Sequence, residues 1–194
     1  LCHPNSPSGT AVPLSAIDAL ARASEGLVVV DEAYVDFADE SALPLLARHA
    51  NLVVLRTFSK SFSLAGMRVG LAMGSAELIA ELMKVKDSYN VTRLSITAAA
   101  AALDDYDWML ANVARIRQTR GRLTAELRSR GFDVLDSQTN FVLARKPGQR
   151  LEPIYLQLKD RGILVRYFDT PELSDALRIT VGTEEQTDAL LQAL

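Results

Sequence analysis

Apolar residues recur along the chain with two different spacings. Over residues 13–24, PLSAIDALARAS, the side chains of Leu14, Ile17, Leu20 and Ala21 repeat at three- to four-residue intervals. With Pro13 near the first turn and Gly26 past the end, that spacing predicts an amphipathic helix. The runs LVVVDEAY (27–34) and NLVVLRTF (51–58) are instead continuously apolar before they turn polar, the pattern of strands covered on both faces. Between them LPLLARHA reads as a second helix, so strand and helix alternate and a parallel sheet is expected. MRVGLAMG (67–74) is a third strand candidate. In SAELIAELMKVK, Ser75 suits an N-cap ahead of Leu78, Ile79, Leu82 and Met83.

The pattern changes near residue 105. DYDWMLANVARIRQTRGRLTAELRSRG is one long helical reading, interrupted only by Gly121 and stopped by Gly131, and such a helix could bridge two domains. Shorter elements follow: FDVLD, NFVLAR, a helix in LEPIYLQLKDRG, then ILVRYF, LRITVG and a last helix. This is an α+β layer, distinct from the α/β part before it, and the expected division is 1–104 and 105–194. The Ala-rich TAAAAAL (97–103) is expected to be a tightly packed helix. LCHPNSPSGT opens on an apolar pair that runs straight into turn residues, like the end of a strand begun upstream. TEEQTDALLQAL has a helix start at Thr183 and Gln186 but no C-cap. A longer protein is expected, with most of the remainder on the N-terminal side.

Composition narrows the chemistry. The 194 residues are 48% hydrophobic with a net charge of -3 and both signs scattered, which leaves no basic footprint for nucleic acid. No apolar run is long enough to span a bilayer as a helix, and no secretory leader opens the chain, so a cytoplasmic protein is expected. Cys2 has no second thiol for a disulfide or a zinc site and is read as a small apolar residue; His3 and His49 lack acidic or cysteine partners at ligand spacing, so no metal is expected.

Ligands of open parallel sheets bind beyond the carboxyl ends of the strands, and two polar clusters fall there. Asp31 closes LVVV, with Glu32 and Tyr34 after it, and Ser59-Lys60 follow LVVL. If the two strands share a sheet, an acid, a phenol and an amine meet on one rim. That combination suits pyridoxal phosphate, which takes a covalent amine at its carbonyl and an anion at its ring nitrogen.

The ordered segments HPNSPSGT, VVVDEAYVDF, LRTFSKSFSLAGMRVG, TNFVLAR and GILVRYF...LRITVGT resemble the fold-type-I pyridoxal-phosphate aminotransferases over nearly the whole chain. Within that family DEAY, SKSFSLAGMR and LRITVG are most similar to the histidinol-phosphate aminotransferases. The resemblance implies part of the large-domain, mostly parallel sheet with flanking helices over 1–104, and an interdomain helix with a small α+β domain over 105–194. It also implies pyridoxal 5'-phosphate as cofactor, small-molecule substrates and a homodimer.

Residue by residue, Lys60 matches the lysine that bonds the cofactor aldehyde and then moves the substrate proton; a lone lysine is otherwise a solvated loop residue. Asp31 matches the carboxylate at the pyridine nitrogen, or else is a strand-end turn residue. Tyr34 matches the phenol at the cofactor O3', or is a core-edge aromatic. Ser59 and Arg68 match cofactor-phosphate ligands, Arg68 being otherwise a surface arginine. Arg178 matches the clamp on the substrate carboxylate and Arg166 a residue at the phosphate end of histidinol phosphate; each is otherwise an exposed strand arginine. Asn140 matches a residue at the substrate mouth, or starts a strand. One departure stands out: the family places Asn before Pro-Thr-Gly to contact O3', whereas this chain has Ser6 there, Asn5 ahead of it and Ser8 for Thr. A serine hydroxyl can donate but reaches less far, and Asn5 is the residue that could compensate.

The implied reaction is transamination between L-histidinol phosphate and 2-oxoglutarate. Aminotransferases for aromatic amino acids and threonine-phosphate decarboxylase share these motifs and stay open as alternatives, as does a non-catalytic α/β module for a phosphorylated ligand. Neither GxGxxG nor GxxxxGK[ST] occurs, which disfavours a nucleotide fold.

Overall fold

The structure, a computed structural model, describes residues 1–194. The chain divides into two compact units. The first comprises 1–4 and 11–112; the second comprises 5–10 and 113–194.

In the first unit helix α1 (Leu14–Ala23) turns Ile17 and Ala21 inward, while Leu20, the fourth member of its apolar spacing, is exposed. Strands β1 (Val28–Asp31) and β2 (Leu52–Thr57) pair in parallel from Val28↔Leu52 to Asp31↔Leu55. Ile17, Val28, Val30, Ala42, Leu45, Leu52 and Val54 form their core, and each fully buried Val, Leu or Ile contributes about 1.5–3 kcal/mol. Residues 1–3 run parallel along the other side of β1, with the His3 N–H donating to the Asp31 carbonyl at 2.9 Å. Cys2 lies in that bridge but is exposed, so it does not serve as an apolar packing residue.

Strand β3 (Gly70–Met73) pairs with β2 antiparallel, an exception to the parallel order that strand–helix alternation predicts, within the mostly parallel sheet expected of the large domain. Residues 58–69 hold only a 3-10 turn at Ala65–Met67 and no crossover helix, so the chain can only double back. LPLLARHA likewise forms a single 3-10 turn, Leu43–Ala47, instead of an α-helix. Its start is pinned by Glu32, whose carboxylate accepts the Ala42 N–H at 2.6 Å, leaving room for little more than one turn before β2.

Helix α2 (Ala76–Val85) is capped as expected, Ser75 Oγ accepting the Leu78 N–H, yet none of its residues is buried. Helix α3 (Arg93–Asp104) buries only Ser95 and Ala99, while Leu94, Ile96 and Leu103 face outward, so the Ala-rich stretch is helical but not tightly packed. Helix α4 (Tyr106–Ser129) runs through Gly121 without a break and through the boundary between the units.

In the second unit β4 (Asp133–Val134), β5 (Phe141–Arg145), β6 (Arg166–Tyr167) and β7 (Ala176–Thr180) form an antiparallel sheet in the order β4-β5-β7-β6. Strand alternation sends Val142, Ala144, Leu177 and Ile179 into a core with Leu123 and Leu127 of α4, Leu158 of α5 (Glu152–Asp160) and Leu190 of α6 (Glu184–Ala193). The same alternation puts Phe141, Leu143, Arg166 and Arg178 on the opposite face. The Thr183–Gln186 capping box is present at the start of α6. No helix is long and apolar enough to cross a membrane.

Candidate active site

In the first unit the carboxyl ends of β1 and β2 lie side by side, the Glu32 N–H donating to the Leu55 carbonyl at 2.8 Å. Asp31, half-buried, ends β1; its Oδ1 accepts the Ala33 N–H at 2.9 Å, which leaves Oδ2 for another donor. Beyond it the chain turns through Tyr34. Beyond β2 the chain turns through Ser59 and Lys60. These turns meet: the Lys60 Nζ stands 5.3 Å from the centroid of the Tyr34 ring. Lys60 is exposed and forms no ion pair, so its ammonium rests on an aromatic face alone. Ser59 Oγ lies 2.9 Å from Thr57 Oγ1, which accepts the Ser59 N–H. Arg68, just before β3, is exposed and left-handed at φ 55°, and its Nη1 donates to the Ala65 carbonyl at 2.8 Å.

Sequence reasoning passed over the residue that braces this rim. Glu32, 1% exposed, takes Arg56 Nε at 3.0 Å, Ser41 Oγ at 3.0 Å and the Ala42 N–H. Every oxygen of a fully buried carboxylate is thereby satisfied, and the chain from Glu32 to Ala42 is closed onto the end of β2. The charged Arg56 within an otherwise apolar LVVLRT run is the signal that could have pointed to a buried acid.

The second unit gathers Asn5, Ser6, Asn140, Arg166 and Arg178. Gly9 holds the 5–10 loop close to Ser137: its φ is +79°, and a Cβ there would lie 2.6 Å from Ser137 Oγ, so only glycine fits. In that loop Asn5 Nδ2 donates to Ser8 Oγ at 2.8 Å and is engaged within the turn, whereas Ser6 Oγ accepts from Arg178 Nη1 at 3.1 Å. Arg178 has no carboxylate partner. Its guanidinium lies 5.0 Å from the Phe141 ring and 5.9 Å from the Phe168 ring, and its buried Nε has no hydrogen-bond acceptor. Arg166 is its direct cross-strand neighbour, and stands 5.4 Å from the same Phe168 ring. Like charges opposite one another on a sheet repel, so this pair is costly without an anion. Asn140 is half-buried before β5, its carbonyl taking the Val181 N–H at 2.9 Å. The rings of Phe141 and Phe168 carried no functional reading in the sequence.

His3 is buried, Nδ1 accepting the Val12 N–H at 3.2 Å. His49 does have an acid, Asp18, at 2.8 Å, a partner too distant in sequence for spacing to reveal. No group of three or more His, Cys, Asp or Glu is arranged to hold a metal ion.

The family model for aminotransferase class I and II matches residues 1–194. The chain belongs to that family. This aminotransferase chain is 49% identical, over its whole length, to histidinol-phosphate aminotransferase 1 of Nostoc sp., and 50% identical to the histidinol-phosphate aminotransferase of Syntrophotalea carbinolica. It covers 55% and 56% of those proteins, about half the length of each. Its backbone superposes with a TM-score of 0.90 on the crystal structure of histidinol-phosphate aminotransferase from Sinorhizobium meliloti in complex with pyridoxal-5'-phosphate, at 30% identity, covering all of this chain and 55% of that one. The α/β aminotransferase fold expected from the sequence is therefore the observed one, over the part of it that the chain spans.

Proposed function

We propose that the protein at full length is a pyridoxal-5'-phosphate-dependent transaminase that moves an amino group between L-histidinol phosphate and 2-oxoglutarate, giving imidazole acetol phosphate and glutamate in histidine biosynthesis, as a cytoplasmic homodimer. The observation that carries this reading is the Lys60 amine, unpaired and 5.3 Å over Tyr34, on the rim where Asp31 ends its strand.

The residues present fit the cofactor. Lys60 offers an amine with no competing carboxylate, Asp31 an oxygen not used by its own turn, and Tyr34 a phenol beside the amine. Ser59 and Arg68 supply a hydroxyl and a guanidinium for the cofactor phosphate. When bound, pyridoxal phosphate supplies an electron sink that makes the proton on the substrate Cα removable. Lys60 would take that proton and return one. Asp31 holds a proton at the pyridine nitrogen, and Tyr34 donates its hydroxyl hydrogen to the oxygen beside the reacting carbon.

Arg178 and Arg166 are assigned to the anionic groups of the substrates. Glutamate and 2-oxoglutarate carry a carboxylate next to the reacting carbon, and histidinol phosphate carries a phosphate ester one carbon further on. Two facing arginines without acidic partners accept either, and Arg178 keeps a buried N–H for the purpose. Asn140, just before β5, is assigned a substrate contact.

The test is a substrate comparison with the full-length protein and 2-oxoglutarate. Histidinol phosphate should form glutamate with a kcat/KM about a hundredfold above that of phenylalanine, because a phosphate dianion makes more charge-assisted bonds to two arginines than the single carboxylate of phenylalanine does. Faster turnover of phenylalanine, or release of carbon dioxide from threonine phosphate, would replace this assignment with another member of the family.

A further inference from the structure

The turns that carry Tyr34 and Lys60 are joined by a hydrogen bond that the chemistry above does not use. Ser61, directly after Lys60, is 5% exposed, and its hydroxyl donates to a carboxylate oxygen of Asp36. Asp36 sits in the 3-10 turn Val35–Phe37, just after Tyr34, and its neighbours Val35 and Phe37 are buried, which fixes that turn to the core. The other turn closes on itself. The Leu64 N–H donates to the Phe58 carbonyl at 3.0 Å, the Ser63 N–H to the Lys60 carbonyl at 3.1 Å, and the Phe58 and Phe62 rings stand 4.8 Å apart. Each turn is internally braced, and the Ser61–Asp36 bond registers one against the other. A hydrogen bond to an ionised acceptor is short, strong and directional, so it can set a position that a ring contact at 5.3 Å cannot.

We propose that Asp36, acting through Ser61, is a positioning residue for Lys60, holding the lysine backbone so that its amine meets the cofactor aldehyde already aligned. This inference rests on the reading of Lys60 given above. In the attachment step the ammonium releases one proton to solvent, the amine nitrogen bonds to the aldehyde carbon, and the carbonyl oxygen leaves as water with the two remaining amine protons. Alignment of the nitrogen with that carbon is what the latch supplies.

The experiment follows the rate at which cofactor-free, full-length protein takes up pyridoxal phosphate, read from visible absorbance, alongside its melting temperature without cofactor. Ser61→Ala should slow uptake about tenfold, the size of one lost hydrogen bond to a charged group. Ser61→Thr, which restores the hydroxyl, should return to within about twofold of the parent. Asp36→Ala combined with Ser61→Ala should be no slower than the single serine variant, since both act through one bond. If Ser61→Ala does not fold, Ser61→Cys keeps the volume with a weaker donor and should show the same slowing. A lowered melting temperature with uptake at the parental rate would make the bond purely structural and overturn the proposal. A parent protein that takes up no pyridoxal phosphate at Lys60 would overturn the reading beneath it as well.

Discussion

Three basic side chains converge on Asp18: Arg22 at 2.6 Å, His49 at 2.8 Å and Arg48 at 3.4 Å. The His49 hydrogen bond, opposed by partial burial and aided by the charges of Arg48 and Arg22, holds the Asp18 carboxyl below its ordinary value of 3.8. A carboxyl whose folded pKa is depressed stabilises the fold above its unfolded pKa, and that contribution is lost as pH falls through the folded value. The margin by which the melting temperature of the parent exceeds that of Asp18→Asn should therefore shrink as pH drops below about 4. A margin that does not change between pH 3 and pH 6 would count against this pairing. The contrast with Lys60 shows what a sequence discloses at single positions. An amine set between serines, after an apolar run and before Gly and Arg, marks itself by local pattern. The bonds of Asp18 to His49 and of Asp36 to Ser61 join short side chains across long stretches of sequence, and no periodicity encodes them.

Among the elements, the rim of the first sheet is braced by the buried carboxylate of Glu32. Removing its carboxylate leaves Arg56, Ser41 and the Ala42 N–H without their shared acceptor. Glu32→Ala should accordingly cost about 3 kcal/mol or more in denaturant unfolding, the range for breaking a buried, hydrogen-bonded charge. Glu32→Gln, which keeps an acceptor for Ala42, should lose less; equal stability of all three proteins would show that the network is idle. Strands β1 and β2 were legible because continuous β-branched runs mark themselves. The direction of β3 was not, since an apolar run reads the same both ways and only the missing crossover decides it. LPLLARHA carries helical spacing, but a pinned start and a nearby strand allow it one 3-10 turn.

For the whole chain, the ordered set of motifs disclosed the α/β fold more fully than apolar spacing did. Spacing placed α2, and the Ala-rich stretch placed α3, but neither could tell that their apolar sides, with Met83, Val85, Leu94 and Ile96, stay exposed. Each unit holds one part of the proposed chemistry: the amine, phenol and carboxylate on the sheet rim of the first, and the paired arginines on the antiparallel sheet of the second. The central claim is that Lys60 is the amine that takes the cofactor. Borohydride reduction of the full-length protein after incubation with pyridoxal phosphate, followed by peptide mapping, tests it most directly. A single phosphopyridoxyl group on Lys60, absent from Lys60→Ala, is the expected result; labelling spread over surface lysines with Lys60 unmodified would contradict it.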